Sequence, residues 1–120
     1  MFKVINNVFH VTRGDQGMVD ISFDDYTFAV DDKITINVYN EDGMNNEPVL
    51  TKTVTMSAAG DTCRVSFAPS DTLLGNPQNE RVTYWYEVLL NDYQTPLCFD
   101  EKGPKLFYLY PGGVDNYGGN

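Results

Sequence analysis

Apolar residues recur at every second position in several stretches of this chain, and the longest unbroken run of β-favouring residues covers residues 81–92. One face of that run carries Val82, Tyr84, Tyr86, Val88 and Leu90. β-Branched and aromatic side chains fit a pleated, half-buried surface better than a helix interior. The run therefore predicts a long central strand whose apolar face is covered by other strands.

Shorter alternating runs predict further strands on both sides of this one. They cover residues 3–12, 18–23, 33–40, 49–56, 62–67, 97–99 and 105–110. In the first of these runs Asn6 and Asn7 predict a bend, and the expected inward residues are Val4, Val8 and Val11. The chain thus contains enough strand-forming sequence to cover the central strand on both sides.

Glycine and proline mark the turns between the runs. Gly60 predicts a hairpin between the runs 49–56 and 62–67. Residues 69–75, with proline at the start and glycine at the end, fit one short helical turn. Residues 13–17, RGDQG, contain an integrin-binding tripeptide, but the two glycines favour a tight turn over an adhesion motif.

Turn signals recur roughly every 8 to 12 residues, and no stretch has helical periodicity of useful length. We therefore predict an all-β fold, an antiparallel immunoglobulin-like β-sandwich of about seven to nine strands, over residues 1–110. In that fold the 81–92 strand lies near the middle of one sheet, with Tyr84 as a corner tyrosine. Residues 111–120 carry four glycines and predict a flexible tail.

The charge of the chain restricts its partners. Eight basic residues stand against 17 acidic ones, which gives a net charge of −9. This charge opposes phosphate backbones, so we expect no nucleic-acid partner. The N-terminus lacks the apolar run of a signal peptide, and no segment approaches the ~20 apolar residues of a membrane helix. The sequence predicts a protein made in the cytoplasm, with no membrane partner.

Residues that carry chemistry are few and scattered. His10 is the only histidine, no serine lies in a nucleophile motif, and no CxxC pair is present. We expect no enzymatic activity and no cofactor. Cys63 and Cys98 lie among apolar neighbours, which predicts reduced, buried thiols. A single disulfide between two strands stays open as the alternative.

Two sets of residues are weak candidates for binding sites. Carboxylates in loops that meet at one pole of a β-fold can hold calcium, although no recognised ligand spacing is present here and a solvated acidic rim explains them as well. The calcium candidates are Asp24, Asp25, Asp31 and Asp32. Flat aromatic rings can stack on sugars, and the rings available for this are Trp85, Tyr93, Tyr108 and Tyr110.

The last predicted strand is apolar on both faces, which is more than one half-buried sheet needs. A second subunit is the expected cover, because identical subunits commonly associate into closed rings. We therefore predict a homo-oligomer that uses the last strand and the tail. The predicted assembly residues are Lys105, Phe107, Leu109, Pro111 and Tyr117.

Several segments, taken in order, resemble one protein family. They are the RGDQG turn, an acidic connection, the strands DDKITINVYN and VLTKTVT, the PSDT turn and the aromatic strand YWYEVLLND. Over about residues 8–110 the chain resembles the immunoglobulin-like N-terminal domain of the upper baseplate proteins of siphophages that infect Gram-positive bacteria. In that family further chain joins the domain to receptor-binding proteins, whereas this sequence stops soon after its last predicted strand.

The resemblance implies a structural component of a phage or phage-derived particle, in the tail or baseplate or as a head decoration. Its partners would be other phage structural proteins, and its location would be the virion. The family carries no catalytic residues, so the resemblance implies none here. The alternative is a bacterial carbohydrate-binding or adhesion module with a β-sandwich fold.

Overall fold

The computed structural model describes residues 1–41, 47–95, 99–100 and 103–112, and in these the chain is mostly β. Its strands are β1 (Phe2–Ile5), β2 (Val8–Thr12), β3 (Gly17–Ile21), β4 (Lys33–Tyr39), β5 (Leu50–Thr55), β6 (Cys63–Phe67), β7 (Val82–Leu90), β8 (Tyr93–Gln94), β9 (Phe99–Asp100) and β10 (Gly103–Tyr110). A 3₁₀ turn at Pro69–Thr72 lies between β6 and β7, where the short helical turn was predicted.

The large sheet has the strand order β1-β2-β10-β7-β4-β5. β10 is parallel to β2 and antiparallel to β7, so the sheet is mixed. The short strands β8 and β9 pair with β7 and β10 respectively. β7 lies between β10 and β4, which confirms the prediction that the longest alternating run is a central strand.

β3 and β6 form a separate small antiparallel sheet, in which Gly17 opposes Phe67 and Ile21 opposes Cys63. The large sheet curls, so that its two edge strands approach this small sheet. β1 lies beside β3, and β5 lies beside β6. We call these two lines of approach the β1–β3 seam and the β5–β6 seam.

Buried apolar side chains from both sheets fill the space between them. The most deeply buried are Val11, Phe28, Ile34, Ile36, Val38, Val65, Val88 and Phe107. Phe9 packs at their centre: its ring centroid lies 5.1 Å from that of Phe107 and 4.8 Å from that of Tyr86. The predicted apolar face of β7 is therefore the face that meets the core.

The first predicted run forms two strands joined by a tight turn. Asn6 and Asn7 have φ values of 51° and 63°, as a two-residue type I′ hairpin requires and as asparagine tolerates. Val11 is buried as predicted, but the prediction that Val8 points inward is wrong. Side chains alternate along a strand, and Phe9 takes the inward position next to it.

The predicted hairpin between residues 49–56 and 62–67 is also wrong. β5 pairs with β4 and β6 pairs with β3, so the chain crosses from one sheet to the other between them. Gly60, at the expected turn, forms an isolated bridge with Phe28, and each N–H donates to the other residue's carbonyl. This crossing holds the fully buried Phe28 in the core.

The RGDQG segment is a turn, as predicted, and Gly14 has a φ of 89°. The guanidinium of Arg13 donates to the carbonyl of Gly75 at 3.0 Å. The hydroxyl of Thr72 donates to the carbonyl of Asp15 at 2.9 Å. These bonds attach the turn to the 3₁₀ turn before β7, so the tripeptide has a structural role in this fold.

Cys63 is a buried free thiol in β6, as predicted, and burial raises its pKa. The hydroxyl of the buried Tyr84, the expected corner tyrosine, reaches back to Gly75, where an added Cβ would lie 2.8 Å from it. Cys98 and the tail residues 113–120 lie outside the described residues.

Candidate functional site

The outward face of the large sheet carries large side chains, where an exposed sheet face ordinarily carries polar ones. Phe107 and Leu109 of β10 are buried in the core. Because side chains alternate along a strand, Leu106, Tyr108 and Tyr110 lie on the opposite, outward face. All three are half-buried, so part of each side chain stays accessible.

The strand register arranges the outward side chains in rows across the sheet. In one row Leu106 opposes Trp85, and Trp85 opposes Tyr39 on its other side. In the next row His10 of β2 opposes Tyr108. We call this surface the aromatic face. Its half-buried residues are His10, Trp85, Leu106, Tyr108 and Tyr110, and Tyr39, which is 8% exposed, is buried at its edge.

The rings at one end of the aromatic face are held together by direct contacts. Nδ1 of His10 lies 2.9 Å from the hydroxyl of Tyr110, and the two rings are stacked. The ring centroid of Tyr108 lies 5.6 Å from that of His10, in an edge-on arrangement. The guanidinium carbon of Arg81 lies 3.9 Å from the centroid of Tyr108, a cation–π contact. The surface is thus preorganised before any partner arrives.

Polar side chains occupy the other end of the same outward face. Glu87 of β7 is 9% exposed and accepts a hydrogen bond from Nδ2 of Asn37 at 3.0 Å and another from the hydroxyl of Tyr39. Asn37 in turn accepts from the hydroxyl of Thr51 at 2.8 Å. The Glu87 carboxylate is satisfied by these donors, so this network orients Tyr39 at the edge of the aromatic face.

The predicted assembly residues are only partly where the sequence placed them. The prediction is wrong for Phe107 and Leu109, because both side chains belong to the core and present no surface to a partner. Lys105 lies on the same face of β10 as Phe107 and Leu109, so it points to the inward side, where it lines a cleft. Pro111 is half-buried after the end of β10, and Tyr117 lies outside the described residues.

The outward residues of β10 carried a signal in the sequence, since that strand is apolar on both faces. The side chains that alternate with the predicted set are the ones that form the surface. His10 and Tyr39 carried no such signal, because only strand order brings them beside Tyr108 and Trp85.

Asp32, one of the four calcium candidates, has a structural role. Its carboxylate accepts hydrogen bonds from the hydroxyl of Tyr26 at 2.5 Å, the N–H of Ala29 at 2.8 Å and Nδ2 of Asn91 at 3.0 Å. These donors, the Tyr26 hydroxyl above all, hold the pKa of Asp32 below its usual value. The carboxylate is used to fix the connection before β4.

The other three candidates, Asp24, Asp25 and Asp31, are exposed on the loops before β4. In the described part of the chain, no three His, Cys, Asp or Glu side chains gather into a group that could hold a metal ion. The calcium interpretation therefore gains no geometric support from the residues at these positions.

Three of the four aromatic residues considered for sugar binding share one surface. Trp85, Tyr108 and Tyr110 all lie on the aromatic face. Tyr93 is 77% exposed, but it opposes Leu90 and lies on the inward side of the sheet. The structure thus brings three of these rings together and separates the fourth.

No helix in the described residues has the length and hydropathy that crossing a bilayer requires. Comparisons of the chain with family models, curated proteins and solved structures found no match. The functional interpretation therefore depends on the aromatic face and its surroundings.

Proposed function

We propose that this chain is an immunoglobulin-like β-sandwich that works as a non-enzymatic assembly domain. The strand order supports the first part. With β3, β4, β5, β6, β7 and β10 taken as strands B, C, C′, E, F and G, the large sheet contains the G-F-C-C′ order and the small sheet the B-E pair. The first two strands depart from the constant-type pattern, because they join β10 instead of β3.

The observation that carries the functional proposal is the aromatic face. Exposed faces of antiparallel sheets are typically polar, and contiguous aromatic and aliphatic residues on a surface mark sites of protein contact. Tyrosine, tryptophan and arginine are enriched where binding energy concentrates, and Trp85, Tyr108 and Arg81 lie on or beside this face. The domain acts by burying this surface against a partner, and it performs no chemistry.

The partners in this proposal are other structural proteins of a phage or phage-derived particle, in the tail or baseplate, together with further copies of this chain. The resemblance of residues 8–110 to upper baseplate proteins supports the context. A ring of subunits would cover the aromatic face of each copy, since rings are a common closed arrangement of identical subunits.

The test is quantitative mass spectrometry of density-purified particles induced from the source organism. The expected result is that the chain co-purifies with the particles at a copy number per particle that is a multiple of three or six, as expected for a ring. Recovery of the chain from cells or medium, with none in the particles, would overturn the structural role.

A variant pair tests the surface itself by light scattering on the full chain. Trp85→Thr with Leu106→Thr removes two large outward residues from opposing positions and keeps β-favouring side chains in both strands. The expected result is a smaller assembly. The matched control is Tyr93→Thr, which removes an exposed aromatic residue from a different surface and should leave the assembly unchanged. A truncation after Gly112 measures the contribution of the tail separately.

One observation favours a second candidate, a carbohydrate-binding or adhesion module. Trp85, Tyr108 and Tyr110 share one face, and aromatic rings on a surface can stack on sugars. A glycan array with the full chain, run with and without calcium, separates the two candidates. An assembly domain gives no signal, whereas a sugar-binding module gives a signal that Trp85→Thr abolishes.

A further inference from the structure

A cleft opens on the inward side of the large sheet, at the β1–β3 seam. It encloses a volume of about 1200 Å³. Val4 and Asn7 of the first hairpin lie on one side of it, and residues 18–24 lie on the other. At the near end of the seam Phe2 packs directly on Gly17, so the cleft begins where that contact stops.

The cleft follows the edge of β3. It is lined by seven consecutive residues, 18 to 24, of which residues 18–21 belong to β3 and point their side chains alternately to opposite faces. A cleft on one face of a strand would contact alternate residues only, so this one exposes the backbone edge. Among the described strands β3 pairs with β6 alone, and its other edge therefore has no ladder partner there.

The inner wall of the cleft is apolar. Its accessible part is formed by the half-buried Val19, Phe23 and Leu90 and the exposed Tyr93, whereas the lining residues Ile36, Tyr86, Val88 and Phe9 belong to the core and are 0–2% exposed. An extended chain laid along β3 would direct every second side chain onto this wall. Hydrogen bonds from a backbone edge combined with pockets for alternate side chains are the two requirements for recognition by strand addition.

The size of the cleft favours a peptide over a small molecule. Sites for drug-sized ligands usually enclose about 300–1,000 Å³. The cleft, at about 1200 Å³, exceeds that range and runs along a strand edge. In the constant-type immunoglobulin order a strand pairs with strand B on this edge, whereas among the described strands β1 lies beside β3 without pairing with it.

Charge selects the kind of peptide. The charged residues among the described lining residues are Asp20, Asp24 and Lys105. Asp20 is paired with Arg64 at 2.8 Å, whereas Asp24 is exposed at the mouth of the cleft. The whole chain carries −9, which favours a basic partner at this cleft.

We propose that the cleft beside β3 accepts a basic, extended segment of a different protein, which adds to the small sheet as a strand and places alternate apolar side chains on the inner wall. This site lies on the opposite side of the large sheet from the aromatic face. Its test does not depend on the assembly proposal, and either can fail without the other.

The experiment uses the full chain and a capped peptide of alternating lysine and valine as the probe. Binding is measured by NMR titration, and amide hydrogen exchange is followed in β3. The control peptide has every second valine replaced by proline, which removes backbone donors from the added strand. The expected result is saturable binding of the first peptide with slowed exchange in β3, and no binding of the proline peptide.

Two charge-reversal variants test whether the exposed carboxylate at the mouth of the cleft contributes to peptide binding. Asp24→Lys changes the mouth of the cleft, and Glu80→Lys makes the same charge change at an exposed site away from it. Both residues are exposed, so both variants should fold. Asp24→Lys should weaken peptide binding about 2- to 5-fold, as expected for an exposed ion pair, with little effect from Glu80→Lys.

Three outcomes would overturn the proposal. Equal binding of both peptides, or unchanged exchange in β3, would mean that the lysines bind by charge alone. No binding of either peptide would exclude a basic strand as the occupant. Slowed exchange in β3 that appears with self-association and without peptide would assign the cleft to a second copy.

Discussion

The two seams between the large and small sheets are closed to different degrees. At the β5–β6 seam the ammonium of Lys52 lies 2.8 Å from the Asp71 carboxylate and 5.9 Å from the ring centroid of Phe67. Lys52 opposes Ile36 and so projects to the inward side, where it reaches across the seam. At the β1–β3 seam Phe2 contacts Gly17 at one end, and the cleft opens beyond that contact.

This difference shows that a curled sheet can pack closely against the small sheet along one seam and leave an open cleft along the other. A charged side chain with a long apolar stem can cover a seam while its head group stays paired. Gly17, by contrast, allows the ring of Phe2 to approach the backbone and so closes the β1–β3 seam only at that end. The following predictions test whether each seam has the role that its contacts indicate.

The largest expected effect is from Phe67→Ala. Phe67 is 2% exposed and contacts the rings of Phe2 and Phe9 on one side and Lys52 on the other, so it supports both seams. Truncation of a buried phenylalanine should lower the free energy of unfolding by about 3–5 kcal/mol, as measured by urea denaturation. Val30→Ala, at an exposed position, is the control and should change stability little.

Gly17→Ala should disturb the contact that closes one end of the β1–β3 seam. A Cβ at Gly17 would lie 2.2 Å from Cγ and 2.6 Å from Cβ of Phe2, so β1 itself must shift. We expect a loss of about 1–3 kcal/mol in the free energy of unfolding, measured by urea denaturation. Gly60→Ala is the matched control, because its nearest neighbouring atoms lie 3.9 Å away. Equal losses in the two variants would contradict the role given to this contact.

Asp71→Asn should weaken the β5–β6 seam by about 1 kcal/mol at neutral pH, because it removes the charge that pairs with Lys52. The hydrogen bond from Lys52 lowers the pKa of Asp71 below its ordinary value of 3.8. The stabilisation is therefore present above the unfolded-state pKa and is lost as the pH falls through the lower folded-state pKa.

The pH dependence of that variant gives a second measurement. Urea midpoints of wild type and Asp71→Asn should differ at neutral pH and converge only as the pH falls below 3.8, through the lowered folded-state pKa of Asp71. Asp61→Asn, at an exposed position, is the control and should follow wild type at every pH. A difference that persists in acid would mean that Asp71 acts through packing and not through charge.

The smallest effect is expected from Arg64→Gln, which removes the ion pair between β6 and β3. Arg64 bonds Asp20 through Nε at 2.8 Å and through Nη2 at 3.1 Å, but both side chains are exposed. The loss should be smaller than that from Asp71→Asn and should disappear at high salt, which screens surface charges. Thermal unfolding at low and high ionic strength measures it. A loss that salt leaves unchanged would show that Arg64 stabilises the small sheet by packing.

Alternation along a strand was readable from the sequence, but the choice of partner strand was not. β7 was predicted because its nine residues are an unbroken run of β-favouring types with apolar residues at every second position, and its inward face is the one expected. The error over Gly60 arose because two alternating runs joined by a glycine look the same whether they pair with each other or with different sheets. In the structure Gly60 bridges the fully buried Phe28, a contact between distant residues that local alternation does not reveal.

The candidate site was predicted in part for the same reason. An apolar last strand signalled a surface, yet alternation alone does not say which set of side chains faces the core. The pairing of Phe107 with Phe9 and Tyr84 decides it, and those pairs join residues distant in the sequence. The cleft had no local signal, because it depends on β1 pairing with β2 and leaving β3 with one edge unpaired among the described strands.

The parallel pairing of β2 with β10 has a consequence for how this chain folds as it is made. Residues 9–12 cannot complete their pairing in the sheet until residues 107–110 have been synthesised. Domains with such distant contacts fold slowly, because the chain loses the entropy of closing a long loop before the contacts can stabilise the closed form. During synthesis the first hairpin therefore leaves the ribosome long before its permanent neighbour. Until then, the aromatic ring of Phe9 lacks its stacking partner Phe107.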